Sequence, residues 1–560
     1  MKKFITVLVA LCMLLSCTAA LAIDQHEPDY LAKQMELMKE NLIPYWEEKG
    51  EGDIIKPYDE PVTVHVVNYY GSSTEANMAI WNEWWGETLE NNRFAQACRE
   101  ILNIDIVYDW LANSADNGYI TKMRLEMAAG NLPDVWLVTD QTDLLQLAAN
   151  ELIIPVDDVI KDTMTQEDQD IIFSDGGRLV EMASYEGKCY GIPRNISDTD
   201  TFSYIWLRKD WMEKLRLVAP KTIDDLKAIM DAFMAADFDG DGQANTFGMV
   251  IDKDLYYGTR GLFAAFDARP EFWIEKDGKV EWGGVQPEVK EALSFLHTLY
   301  EEGYLDTEFI TQTNGTALGT ALAGKAGVLY AGHWVAHQLQ TMLEEHPEAE
   351  WYCVNLPSVT GEPVYQLLNP VRRGWVVINA NYDHPEIVGK ISALCSFTYR
   401  SGVTLGSFWM SNDDAQTLQP FQGSVSSWDN YDTWLNLLQV FETGDESLLR
   451  SKAITYWDNF HTSSEWAWMH MFGPDDGTPM QVLADAINND RISYDAFLGA
   501  QSEFMQDRWS AIKSEQLAAF IRIIIGEVGV DEGFDAWLQS FSSMGGDRIT
   551  EEVNEWYASK

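Results

Sequence analysis

The sequence predicts an α/β protein built from more than one lobe. Three observations lead there. Between residues 62 and 138, apolar runs of strand length alternate with helix-length amphipathic stretches, the pattern of a parallel sheet with crossover helices. Two further helices are signed at their starts, one after Pro220 and one at Pro287. The chain also has 560 residues, more than one hydrophobic core usually serves. Its composition is globular, with 46% apolar and 23% charged residues and no internal repeat.

Taken in order, the chain opens with Lys2 and Lys3 ahead of the apolar run Phe4 to Leu15, which predicts an export signal over residues 1–22. That run is short for a membrane span. Two cleavage readings compete. Leu14-Leu15-Ser16-Cys17 resembles a bacterial lipobox and would make Cys17 the lipidated first residue, whereas Ala20-Leu21-Ala22 fits ordinary signal peptidase. The lipobox is favoured, because an acylated cysteine holds an exported protein at the membrane. Residues 23–60 are polar and acidic, with Pro44 and Pro57, and predict a tether with one short helix near 31–41. Order is expected from Val62 to Asn68, an alternating strand closed by Tyr69-Tyr70-Gly71. Ile104 to Tyr108 is the second strand. Ile120, Met123 and Met127 share a helical face that stops at Gly130, and Asp134 to Val138 is the third strand.

Thr222 with Asp225 three residues on forms a capping box, and Ile223, Leu226, Met230 and Phe233 then make one apolar face. Pro287 opens the next helix, which carries Val289, Leu293, Leu296 and Tyr300 and is stopped by Gly303. Gly327 to Ala331 reads as a strand turning at Gly332-His333-Trp334, and Trp375 to Ile378 as another. The last 150 residues or so read as helical and rich in Trp.

Charge and motif content exclude several functions. With 39 Lys and Arg against 88 Asp and Glu, the formal net charge is −49. Such a surface repels nucleic acid and anionic lipid. Six Cys occur, two of them in the signal region. Cys98, Cys189, Cys353 and Cys395 are widely spaced, so no zinc or redox site is indicated, while disulfides and buried free thiols both remain open. Gly319 to Ala326 has phosphate-loop spacing, but Ala326 stands where the metal-holding Ser or Thr belongs. No H-E-x-x-H or G-x-S-x-G occurs.

Several short stretches together carry a resemblance. They are Ala129-Gly130-Asn131-Leu132-Pro133-Asp134-Val135-Trp136, Tyr190-Gly191-Ile192-Pro193, Leu207-Arg208-Lys209-Asp210-Trp211, Gln286 to Leu293, Gly324-Lys325-Ala326-Gly327 and the tail Gly545 to Tyr557. In this order the chain resembles the family 1 extracellular solute-binding proteins of bacterial ABC importers, in particular the large lipoprotein branch of Gram-positive bacteria. The resemblance implies a class II periplasmic-binding-protein-like fold: two hinged α/β lobes with a ligand cleft between them. It also implies permease subunits as separate chains. The first lobe is expected over 61–193 plus 372–425 and the second over 194–371 plus 426–560.

Candidate sites follow from the residues. Ligands of open α/β sheets lie beyond the carboxyl ends of the strands, where this chain carries Tyr70, Trp136, Arg194, Asn195 and Trp334. Aromatic faces beside short polar groups suit the C–H faces and hydroxyls of sugars. Trp334 is the foremost candidate. Trp81, with Trp84 and Trp85, is a further one, although Trp81 and Trp85 are a helical turn apart and equally fit a core face. Arg372 and Arg373 either clamp a carboxylate or sugar hydroxyls, or serve as hinge charges. Trp466 and Trp468 are weaker candidates.

Asp237, Asp239 and Asp241, with Gly242, match the start of an EF-hand loop, and Gln243 and Asn245 offer further oxygens for a structural Ca²⁺. Position twelve is Gly248 rather than Glu, and Thr246 stands where relatives carry an acidic residue; a metal-free turn is the other reading. The expectation is therefore a monomeric, non-enzymatic protein. It captures an oligosaccharide at the outer face of the cell membrane, lipid-anchored or else secreted, by hinge closure. A secreted glycosidase and a peptide or sugar-acid binder are the rivals.

Overall fold

The computed structural model describes residues 29–114, 117–236, 238, 242, 246–370, 372–403, 418–421 and 423–560. The chain divides into two compact units. Unit 1 takes the described residues of Met1–Ser197, Pro370–Asp429 and Asp445–Trp457, and unit 2 those of Asp198–Asn369, Asn430–Gly444 and Asp458–Lys560. The principal strands are β1 (Val62–Tyr70), β2 (Ile104–Asn113), β3 (Val135–Val138), β4 (Ile192–Asn195), β5 (Tyr204–Arg208), β6 (Trp273–Lys276), β7 (Lys279–Trp282), β8 (Val328–Ala331), β9 (Trp351–Val354), β10 (Gln366–Leu368), β11 (Arg372–Ile378) and β12 (Ile492–Tyr494).

Unit 1 is built on a five-stranded sheet in the order β2-β1-β3-β11-β4. Strands β1, β2 and β3 run parallel, as the alternation predicts. β11 runs antiparallel to both β3 and β4, so the sheet is mixed rather than purely parallel. The reason lies in connectivity: β11 enters this sheet after the chain has passed through unit 2, without a crossover helix to fix a parallel direction. All four residues of β3 and the last five of β11 are buried, as expected of strands covered on both faces. Helix Ile387–Arg400 is buried from Ile387 to Thr398, as an all-round core helix should be. A bulge between Arg372 and Gly374 bends the start of β11. Gly374 has φ 135°, and a Cβ there would sit 2.4 Å from the Val138 carbonyl oxygen, so only glycine fits.

The tether expected over 23–60 is corrected. Tyr30–Glu48 is a 19-residue helix with Tyr30, Met35, Met38, Leu42 and Trp46 buried. The spacing of Met35, Met38, Leu42 and Trp46 is that of one helical stripe, and Lys49 closes the end through Glu167 at 2.8 Å. Residues 445–457, assigned to the second lobe by sequence, pack with unit 1, where Lys452 pairs with Asp429 at 2.5 Å.

Unit 2 holds a three-stranded sheet, β8-β5-β9, in which both outer strands run antiparallel to β5. A hairpin β6-β7 and a short parallel pair β10-β12 complete its strands. The capping box of Thr222 and Asp225 forms at the start of helix Ile223–Ala235, and Pro287 opens helix Pro287–Glu301. The C-terminal helices Glu503–Ile524, Val530–Ser543 and Gly546–Ala558 belong to this unit, in a stretch that reads as helical in the sequence. Much of the Trp content is core: Trp273 stacks on Trp509 at 5.2 Å, Trp282 meets Trp509 edge-on, and the Trp537 indole donates to the Gly284 carbonyl. Cys98, Cys189, Cys353 and Cys395 are buried free thiols. Burial pushes the Cys189 thiol up to about 12. Among the described residues no helix is long and apolar enough to cross a membrane.

Candidate ligand-binding surfaces

In unit 1 the carboxyl ends of β1, β2, β3 and β4 share one edge with the start of β11, because Trp375 pairs with Val138 and Arg372 with Asn195. That register gathers Tyr70, Arg194, Asn195, Arg372 and Arg373 along the edge. Tyr70, Arg372 and Arg373 are half-buried. Arg194 and Asn195 are buried, and Asn195 Nδ2 donates to the Ile171 carbonyl at 2.9 Å. The Arg372 guanidinium lies 4.7 Å over the Trp375 ring, and burial lowers its pKa.

Two sequence candidates are corrected here. Trp136 is 0% exposed, in the middle of the sheet opposite Val377; a residue inside a doubly covered strand offers no face to a ligand. Trp81 is also buried. The Arg93 guanidinium lies 4.7 Å from its ring and 5.0 Å from that of Trp85, while Arg93 Nε donates to Glu87 at 3.0 Å. Trp81 and Trp85 therefore hold a buried ion pair, the core-face reading. In exchange, the edge shows aromatics that sequence reasoning passed over. Tyr119 sits 5.2 Å from Tyr69 and 5.4 Å from half-buried Trp110, with its hydroxyl donating to the Leu137 carbonyl. Trp110 lies in the last four residues of β2 (Ile104–Asn113), and that position near a strand's carboxyl end was the available signal.

In unit 2 Trp334 follows β8 and is half-buried. A Cβ on Gly332 would come within 2.4 Å of the Trp334 ring, so the indole lies directly on the glycine backbone. From there an aromatic strip runs onto helix Glu465–Phe472. His333 lies 5.3 Å from Trp334 and 5.6 Å from Phe472. Trp468 stacks near Phe472 at 6.1 Å and meets His337 at 5.1 Å. Trp466 stacks on His470 at 3.8 Å, and His470 Nε2 reaches Glu350 at 3.0 Å. Gln340 ties the two segments together: its amide donates to the Ser463 carbonyl, and its oxygen accepts from the Ala467 amide. Burial lowers the His337 pKa, favouring the neutral ring, while the His470 hydrogen bond holds Glu350 below its usual range. His333 and Phe472 are buried within the strip, while Trp334, Trp466 and Trp468 are half-buried and leave part of each indole to stack against apolar ring faces.

Asp237, Asp239, Asp241, Gln243 and Asn245 lie outside the described residues, as does Cys17. Gly242, the sixth position of that loop, has φ 75° and open space at its Cβ position, the left-handed turn that an EF-hand glycine adopts. Among the described residues, no cluster of three His, Cys, Asp or Glu side chains could hold a metal.

Residues 104–389, more than half the chain, match the family model described as bacterial extracellular solute-binding protein. The chain belongs to this family, which is one of solute-binding proteins and not of enzymes. Among its relatives is the polygalacturonan/rhamnogalacturonan-binding protein YtcQ of Bacillus subtilis, 26% identical over 44% of this chain; the match spans only 47% of YtcQ. Lipoprotein LipO of the same organism is 23% identical over 79% of this chain and 85% of its own length. The fructooligosaccharide substrate-binding protein FusA of Streptococcus pneumoniae is 30% identical over 36% of this chain and 39% of FusA. The solved structure of a FusA EF-hand mutant with fructo-nystose covers 89% of this chain and 99% of that one, at 16% identity and a TM-score of 0.55. The fold is therefore the two-lobe α/β architecture of periplasmic-binding-protein type.

Proposed function

We propose that the protein is the extracellular substrate-binding component of an ABC importer and that its ligand is an oligosaccharide. The observation that carries this reading is the aromatic strip from Trp334 to Trp468 in unit 2, whose two end indoles are half-buried, in a chain of a solute-binding family. Polar and aromatic groups at the carboxyl edge of the unit 1 sheet, Tyr70, Arg194, Asn195 and Arg373, support it. So do the sugar polymers and oligosaccharides in the names of YtcQ and FusA. Capture works by closure: a ligand shifts the balance only if it binds the closed form more tightly than the open one. The closed, loaded protein, a monomer, then meets separate permease subunits. No nucleic-acid role fits a net charge of −49.

Cys17 is the proposed lipid attachment site, which places the chain at the outer face of the membrane. Calcium at Asp237, Asp239, Asp241, Gln243 and Asn245 is proposed as structural. The FusA structure is that of an EF-hand mutant, which supports such a loop in a relative, and the turn at Gly242 supports it here.

Calorimetry and thermal shift with kestose and with trigalacturonate test the binding reading. Binding of either glycan, recovered at unchanged length, supports it. Release of shorter sugars returns the glycosidase reading, and binding of peptides alone refutes the sugar class.

A further inference from the structure

A small pocket inside unit 1 lies beside β4, between helices Gln166–Ile172 and Ile387–Arg400. Its polar walls include Asp168, Arg194, Ser392, Ser396, Arg400 and Ser424. Arg194 is 3% exposed. Its Nη1 reaches Ser424 Oγ only at 3.5 Å, the outer limit of a hydrogen bond, and its guanidinium carbon lies 5.2 Å from the Phe421 ring centre. Among the described residues, Arg194 Nε is buried without a partner, and so is the Ser392 hydroxyl. Buried donors of this kind are costly unless something satisfies them.

The charges around the pocket decide what that something is. Asp168 accepts from Ser396 and, at 2.9 Å, from the Thr165 hydroxyl, and it lines the same pocket as Arg194. Arg400 pairs with Glu167 at 3.2 Å, and Lys49 reaches the same carboxylate. Glu167 thus engages both Arg400 and the solvent-exposed Lys49, which leaves Asp168 as the carboxylate that lines the pocket with Arg194. An incoming anion would meet Asp168 as well as Arg194, and a buried charge without its own partner costs several kcal/mol. A neutral oxygen has no such cost. It accepts from Arg194 Nε–H and exchanges a hydrogen bond with Ser392 Oγ. The cavity is about 20 Å³, room for about one water-sized group. Burial lowers the Arg194 pKa to about 10 and raises that of Asp168, in keeping with an incompletely satisfied pair.

We propose that this pocket is a socket for one neutral hydroxyl oxygen, water in the free protein and a sugar hydroxyl in the complex, and that it favours uncharged over carboxylated sugars. The sugar half rests on the oligosaccharide reading above; the socket itself does not.

The test uses the full chain with Arg194→Lys and Ser392→Ala. Calorimetry with kestose is expected to show roughly tenfold weaker binding in each variant, the loss of about one hydrogen bond, with trigalacturonate binding more weakly than kestose in the parent. Tighter trigalacturonate binding that falls in Arg194→Lys overturns the proposal, as does kestose binding unchanged in both variants. If neither glycan binds, the ligand reading fails and a crystal soaked in bromide decides the socket alone. A single solvent oxygen on Arg194 Nε and Ser392 Oγ supports it, whereas bromide at that position or an empty pocket overturns it.

Discussion

Replacing Asp495 with Asn should make unit 2 more stable at high pH and leave it little changed at low pH. Asp495 follows β12 and is half-buried, and among the described residues no salt bridge joins it to a cation. Its carboxylate accepts from the Phe497 amide at 2.9 Å and, weakly, from the Trp273 amide at 3.4 Å. Burial outweighs both bonds and raises its pKa from 3.8 to about 7. An acid whose folded pKa lies above its unfolded value holds more protons folded than unfolded, so stability falls as pH rises between about 4 and 7 and then levels off. Three units at about 1.4 kcal/mol each give a penalty on the order of 4 kcal/mol above pH 7. Asn cannot ionise and so escapes that penalty, although its amide nitrogen disturbs one of the two accepted bonds at a cost of about 1 kcal/mol. The net expected gain at pH 8 is about 2–3 kcal/mol, against a loss of up to about 1 kcal/mol at pH 4. Urea unfolding at the two pH values measures it, and hydrogen exchange at the Trp273 and Phe497 amides localises it to unit 2. A difference between variant and parent that does not change with pH would refute the reasoning.

Other outcomes follow from the same geometry. Glu87→Gln leaves the Arg93 guanidinium buried between Trp81 and Trp85 without its counter-ion; urea unfolding should show a loss of about 3–5 kcal/mol, and a loss below 1 kcal/mol would mean the pair is solvated. Gly374→Ala forces a side chain into φ 135° and onto the Val138 carbonyl, so a loss of at least about 2 kcal/mol is expected in the same assay. Trp334→Ala and Trp468→Ala should each weaken oligosaccharide binding about tenfold by calorimetry while shifting the melting temperature little, since both indoles are half-exposed; unchanged affinity in both removes the strip from the site. Chelation should lower the melting temperature, and Asp239→Asn should abolish that response if the loop holds calcium.

What could be read from the sequence was what depends on near neighbours. The Thr222–Asp225 box forms because both partners lie within one turn, and Pro287 opens its helix for the same reason. Trp334 could be placed because a strand and a glycine immediately precede it. The stripe of Met35, Met38, Leu42 and Trp46 was equally local, yet the acidic, proline-bearing surroundings argued for a tether; a buried stripe outweighs exposed charges on the opposite face.

Contacts across long separations were not legible. Trp466 and Trp468 gain meaning only because Gln340, more than 120 residues earlier, ties their helix to the one behind Trp334. The fate of Trp136 turned on whether its strand was covered on one face or two, and β11, which arrives some 230 residues later, supplies the strand beside it. Likewise Arg194 reads as a cleft residue from its place at a strand end, but its neighbours Asp168, Ser392 and Ser424 come from three other parts of the chain. Strand-end position therefore predicts which edge a residue occupies, while burial by distant segments decides whether its side chain meets solvent, a core or a small polar socket. That distinction separates Trp334 from Trp136, although both looked alike in sequence. It also makes the half-buried indoles Trp334 and Trp468 in unit 2 the positions where substitutions should change ligand affinity without unfolding the protein.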